Sequence, residues 1–265
     1  MNAKVLLKYW RTILIVAEMT IRQQLTDGFI LFAVLFQPII IALLALWMLI
    51  DKGGDFAMFV VVGSGLTGLW SSLLFVSGNS INDERWSGTL ESLVALPTPF
   101  EVIIFGKNLA NVVQSLISMF TGYFVASLLF GYSLTIQQPF LFAISILLTI
   151  IAFISFGLVI APVFVMNPGV RHWQNAMEFP VYVLCGFLFP IALLPGWTSP
   201  ISYLLPPYWA AIALHGTSTA GAPFNETLFA WGMLLLFSLI DLLIASRLFK
   251  IMLYKARVDA TLGME

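Results

Sequence analysis

The chain has 265 residues, of which 60% are hydrophobic and 9% charged, with a formal net charge of −1; an average soluble domain is about 45–50% apolar and about 25% charged. This composition excludes an ordinary soluble enzyme, a disordered chain and a disulfide scaffold, because the one cysteine, Cys185, has no partner within the chain. With no basic field to hold a nucleic acid and a mean hydropathy of +0.98, it is read as an integral membrane protein with one membrane domain over 1–265.

Residues 1–28 place Lys4, Lys8, Arg11, Glu18 and Arg22 on one helical stripe, with Leu6, Leu7, Trp10, Ile13, Leu14 and Ala17 on the other faces. The pattern predicts an amphipathic helix in the cytoplasmic headgroup layer, anchored by Tyr9 and Trp10 and ended by a bend at Asp27-Gly28. A polar extension of the first span is the plainer alternative. The first apolar run is 22 residues long, too long for the core of a cleaved signal peptide.

About 20 apolar helical residues cross a ~30 Å hydrocarbon core with every backbone group bonded. The stretches 29–50, 57–79, 108–130, 140–166, 179–196 and 228–250 therefore predict six transmembrane helices in an all-α fold. Eleven of the twelve Lys and Arg fall before span one, between spans two and three, between four and five, or at the end, leaving Lys52 in the alternate loops. Because Lys and Arg resist translocation, both termini are expected to be cytoplasmic in a multi-pass protein of the cell (inner) membrane.

After span two comes NSINDERWSGTLESLVALPTPFEVIIFGK, rich in charge. Glu84, Gly88 and Glu91 recur at four and three, which predicts a helix over 82–96 with Glu84 and Glu91 on one face, stopped by Pro97 and Pro99. Such a helix is a docking element; a solvated loop with ordinary caps is the alternative. Around span five, prolines stand at 190, 195, 200, 206 and 207 among Trp197, Tyr203, Tyr208 and Trp209. Five prolines forbid one continuous spanning helix, while the apolar character forbids a solvated loop. The expectation is a re-entrant hairpin of two short helices over 190–209, dipping into the outer leaflet before the last span and forming a lid.

Asn82-Asp83-Glu84-Arg85-Trp86-Ser87-Gly88-Thr89-Leu90-Glu91 resembles the cytoplasmic motif of ABC transporter permeases of the type-2 exporter family, and Phe189-Pro190 through Leu194-Pro195-Gly196-Trp197 to Pro206 is similar to that family's outer signature. The resemblance covers nearly the whole chain, departing at Leu205-Pro206-Pro207-Tyr208, where the family often has Asn-Pro-polar. It implies a coupling helix gripped by a cytoplasmic ATP-binding-cassette ATPase, with Glu84, Arg85, Gly88, Thr89 and Glu91 at or beside that partner and Gly88 allowing close backbone approach. It also implies a dimer with a second copy or a related permease, a gate at Pro190, Pro195, Trp197 and Pro206, and outward movement of an amphipathic, lipid-like or drug-like substrate among membrane lipids. The chain has no G-x-x-x-x-G-K-[ST] loop, so no cofactor and no catalytic site are expected in it; ATP and Mg belong to the partner.

Asp241 lies deep in span six, where an acid is costly. Ser238 and Arg247 are the neighbours available to satisfy it. A structural or gating role is set against direct substrate binding, and an ion-coupled transporter or channel using Asp241 without an ATPase is the alternative function. Glu178 and Arg171 are read as a membrane-surface anchor beside Asn167-Pro168-Gly169. His172 and His215 fall on opposite expected sides, so no metal site is expected. Lys52-Gly53-Gly54-Asp55 and Gly63-Ser64-Gly65 miss the protease and nucleophile-elbow patterns, and an intramembrane enzyme lacks a nucleophile with its base. Ser64, Gly68 and Ser72 recur every four residues, a small-residue stripe for close helix packing.

Overall fold

Where the surrounding medium supplies no hydrogen bonds, a chain must bond its own amides, and helices are the only regular elements among the described residues. The computed structural model describes residues 3–32, 36–48, 54–131, 135–167, 169–219 and 223–258. The elements are α1 (Ala3–Gln24), α2 (Gly28–Leu31), α3 (Gln37–Met48), α4 (Gly54–Ser71), α5 (Ser80–Trp86), α6 (Leu90–Val94), α7 (Phe100–Phe130), α8 (Pro139–Met166), α9 (Val170–Leu184), α10 (Ser199–Tyr203), α11 (Pro206–Ser218) and α12 (Phe224–Val258). A π-helical turn, Ser72–Ser77, carries α4 toward α5. Lys52, residues 33–35 and 49–50 of the first expected span, and the side chains of Arg171 and His172 lie outside the described residues.

Among the described residues, four helical stretches are long and apolar enough to cross a bilayer: Phe56–Trp86, Phe100–Phe124, Pro139–Met166 and Phe224–Lys255. The stretch expected as a fifth span over 179–196 is instead α9, which begins at Val170 and stops at Leu184. Gly186, at φ +68°, sets that stop. The amides of Gly186 and Phe187 turn back onto the carbonyls of Val183 and Tyr182, each at 3.2 Å, which is the double closure of a left-handed helix cap.

The most apolar window of Phe56–Trp86 is 89% buried and that of Phe224–Lys255 only 28%. The first is therefore the core of the bundle, and α12 is an outer wall. Helix α4 packs on α3, α7 and α11, while α12 packs on α8 and α11. The Ser64, Gly68, Ser72 stripe faces α7: Ser115 Oγ donates to the Gly68 carbonyl and Ser72 Oγ to the Asn111 carbonyl, both at 3.4 Å. Helix α1 lies along α7, where a Cβ on Gly106 would sit 2.9 Å from the Ile13 carbonyl oxygen.

The two ends of the bundle differ. One gathers α1, α5, the start of α7 and the end of α12, with Phe100 edge-on to Phe249 at 6.1 Å. The other holds the proline-rich segment against the starts of α8 and α12, with Trp209 on Phe229 at 5.4 Å and Trp231 Nε1 donating to Ser145 Oγ at 2.9 Å. That segment is not a two-helix hairpin closing at 209. Two 3₁₀ turns, Ile191–Leu193 and Gly196–Thr198, lead into α10, and α11 continues to Ser218 with every residue but Ile212 buried. Proline in the first turn of α10 and of α11 lacks only an N–H that has no intrahelical partner there.

Candidate functional site

The helical stretch Phe56–Trp86 runs from α4 through the π-helical turn into α5, beyond the expected end of span two at 79. The single helix expected over 82–96 is two short helices, α5 and α6, meeting at Ser87-Gly88-Thr89. Gly88 has φ +69°, a conformation L-residues avoid. Its amide closes onto the Arg85 carbonyl at 3.1 Å and that of Thr89 onto the Glu84 carbonyl at 2.9 Å, again a left-handed cap. Glu84 and Glu91 therefore do not share one continuous helical face. Nothing lies within 4 Å of the Cβ position of Gly88: within the chain it makes a turn and not a close approach.

Glu84 is an internal strut. Its carboxylate pairs with the Lys107 ammonium on α7 and accepts the Thr89 hydroxyl; Lys107 Nζ also donates to the Ser80 carbonyl at 3.2 Å. The paired side chains are only 12% (Lys107) and 17% (Glu84) exposed. Burial by itself raises the Glu84 carboxyl, but the Lys107 ammonium and the hydrogen bonds from Lys107 and Thr89 outweigh it and hold the carboxyl below its ordinary value. The elbow is thus fixed to the base of α7. What it presents outward is Trp86, Gly88, Thr89 and Glu91, all exposed, with Arg85 half-buried.

Glu178, read from sequence as a surface anchor, is buried at 5% exposure two turns into α9. Its Oε1 accepts hydrogen bonds from Ser71 Oγ at 2.8 Å, Tyr182 OH at 2.7 Å and Gln37 Nε2 at 3.2 Å, joining α3, α4 and α9. One turn earlier, Gln174 Nε2 donates to the Leu74 carbonyl at 3.0 Å. A buried carboxylate persists only where donors replace its water, so these contacts fix α9 against the core helix. Glu178 belongs to the polar centre of the bundle, although in sequence it stands at the edge of the apolar stretch, after Arg171, His172, Gln174 and Asn175.

Asp241 is 6% exposed, and its Oδ2 has no hydrogen-bond partner among the described residues. Ser238 does not satisfy it, donating instead to the Leu234 carbonyl at 2.7 Å. Since no donor is lost on replacement, Asp241→Asn should leave abundance and melting temperature in detergent unchanged or raised. A strong fall in both would mark the carboxylate as structural.

In the proline-rich segment, Pro190 and Pro195 precede the two 3₁₀ turns in extended conformation and are exposed, as is Trp197. Pro206 is buried at the first turn of α11. Ser202 Oγ donates to the Leu184 carbonyl at 2.6 Å and Trp209 Nε1 to the Tyr203 carbonyl at 3.0 Å, so the segment is pinned to the end of α9. Asp241 and this segment are not brought together with the α5–α6 elbow.

Comparison with curated proteins finds no match. A family of membrane transport components, described as ABC-2 type transporter, matches residues 11–217, from within α1 to the end of α11. Most of the bundle, the elbow and the proline-rich segment fall inside that match, and the chain belongs to the ABC-2 type transporter family.

Proposed function

We propose that this chain is the permease subunit of an ATP-driven exporter, with six membrane crossings, both termini cytoplasmic in the inner membrane, and separate ATP-binding-cassette subunits that bind ATP and Mg. The observation that carries this is the α5–α6 elbow, locked to α7 by the Glu84–Lys107 pair while Trp86 and Glu91 are left exposed. A push on the elbow travels into α7 and the core helix without first being absorbed by a loose loop. A second copy or a related permease completes the pathway, and the substrate is amphipathic, lipid-like or drug-like. The outer proline-rich segment, including Trp197, serves as the gate.

The face that meets the ATPase is the exposed one, Gly88, Thr89 and Glu91, with Arg85 at its edge, while Glu84 acts from behind it. Gly88→Trp places a large side chain on that face and adds the strain of a left-handed residue, about 1–2 kcal/mol. The variant, together with Glu91→Ala, should remain in the membrane and melt within a few degrees of wild type, yet lose co-purified ATPase and transport. If both variants retain the ATPase and transport normally, the elbow is not the dock. A partner unable to hydrolyse ATP should abolish transport; continued transport would favour an ion-coupled mechanism centred on Asp241.

A further inference from the structure

Between the core helix and the elbow the backbone leaves the α ladder. Across the π-helical turn the Gly78 amide reaches back five residues to the Leu73 carbonyl at 2.9 Å, and three of the carbonyls that follow accept side chains. Leu74 takes Gln174 Nε2 at 3.0 Å, Phe75 takes Asn79 Nδ2 at 2.8 Å and Ser77 takes Ser80 Oγ at 2.7 Å. A carbonyl taken off its ladder and away from water needs a donor, so these contacts hold the joint. Asn79 and Ser80 belong to the joint itself. Gln174, 4% exposed, comes from α9, 100 positions along the chain. The same Nε2 also donates to Asn79 Oδ1 at 3.2 Å, so one amide group holds both the Leu74 carbonyl and the side chain that satisfies the next one.

About 15 Å further along α9, at 1.5 Å per residue, the Leu184 carbonyl accepts Ser202 Oγ at 2.6 Å from the proline-rich segment. Pro180 lies inside α9, where a proline removes one ladder bond. The helix is nevertheless fastened on both sides of it: Glu178, before Pro180, accepts from Ser71 Oγ on the core helix and from the OH of Tyr182, after it. We infer that Gln174 is a positioning residue for transport, fastening the joint at the elbow to α9 so that the elbow and the proline-rich segment at the far end of the bundle move together. A displacement of the elbow must break both hydrogen bonds of the Gln174 amide or carry α9 with it. Lys107 holds the elbow from the α7 side, and Gln174 holds it from the α9 side. The role in transport rests on the elbow as dock and the proline-rich segment as gate, as proposed above; the linkage rests on the hydrogen bonds alone.

The test is amide hydrogen exchange of the full-length chain in lipid nanodiscs, read by mass spectrometry. It needs neither ATPase nor substrate, so a failed dock or gate assignment leaves the linkage result intact. Gln174→Met keeps the length of the side chain and removes its N–H groups. Exchange over 72–86 should rise about tenfold, the scale of one buried hydrogen bond, with α12 unchanged. Ser202→Ala, at the other end of α9, should raise exchange over the same stretch severalfold in the wild-type background and add nothing in the double variant with Gln174→Met. A merely local prop gives the rise for Gln174→Met and none for Ser202→Ala; that result, or additive effects in the double variant, overturns the linkage. Should Gln174→Met fail to give monodisperse protein, Ser202→Ala decides alone. In complex with an ATPase held in its ATP-bound form, exchange over 186–205 should change in wild type and stay constant in Gln174→Met. A change of equal size in both, or none in wild type, overturns the role in transport.

Discussion

Lys107→Met should cost about 3 kcal/mol of stability and abolish transport even where protein remains in the membrane. Both side chains of the Glu84–Lys107 pair are largely shielded from water, and removing one partner strands the other charge, a loss of about 3–5 kcal/mol for fully buried pairs. The lower end applies because some exposure remains. Glu84→Gln should cost less, since the amide still accepts from Thr89 and can face Lys107 as a neutral acceptor. The double variant Glu84→Gln/Lys107→Met should recover part of the loss, leaving a coupling energy of about 1–2 kcal/mol in a double-mutant cycle read by thermal melting in detergent.

The pH dependence follows from the direction of the Glu84 shift. Its carboxyl is held below the ordinary value of 4.5 by Lys107 and Thr89, so the pair contributes fully above that value and fades as pH falls through the lower, folded value. The melting difference between wild type and Glu84→Gln should therefore be constant from neutral pH to about 5 and shrink on further acidification. A difference that grows on acidification would place Glu84 outside the pair. If Lys107→Met transports like wild type, the elbow transmits nothing through α7.

How much of this was legible depends on whether one residue or two carries the information. Hydropathy is a property of single positions, and it predicted the apolar stretches that become the four long helices. The stop at Gly186 is invisible to it, because Gly186-Phe187-Leu188-Phe189 is apolar and only backbone conformation ends α9 there. The elbow was located by its motif but misread as one helix; glycine just past a short helix, as in Trp86-Ser87-Gly88, is the signal of a left-handed cap and was available. The Glu178 cluster was out of reach. Ser71 and Glu178 are 107 positions apart, and neither carries a mark of the other. Helix α11 was missed because its small residues, Ala210, Ala211 and Ala213, give no amphipathic stripe: it is buried nearly all round.

The same pairwise logic gives the largest expected effect on stability, at Gly63. A Cβ there would lie 1.8 Å from the carbonyl oxygen of Phe187 and 2.7 Å from its carbon. Both atoms are backbone, held just past the left-handed cap at Gly186, and the Phe187 carbonyl also faces His215 Nε2 at 3.2 Å. No rotamer relieves the clash. Either α4 moves away from the turn that ends α9, or the turn opens and the His215 contact goes with it. Gly63→Ala should cost at least about 3 kcal/mol, the upper range for added methyl groups in packed cores, and appear as a sharply lower melting temperature and poor recovery of monodisperse protein. Gly232→Ala is the control, since nothing lies within 4 Å of its Cβ position on the outer helix α12. There the added methyl should be neutral or stabilising by up to about 1 kcal/mol, through helix propensity alone. Equal melting temperatures for the two variants would mean that α4 does not approach Phe187 in the folded protein, and that the buried core helix and the end of α9 are not joined at this turn.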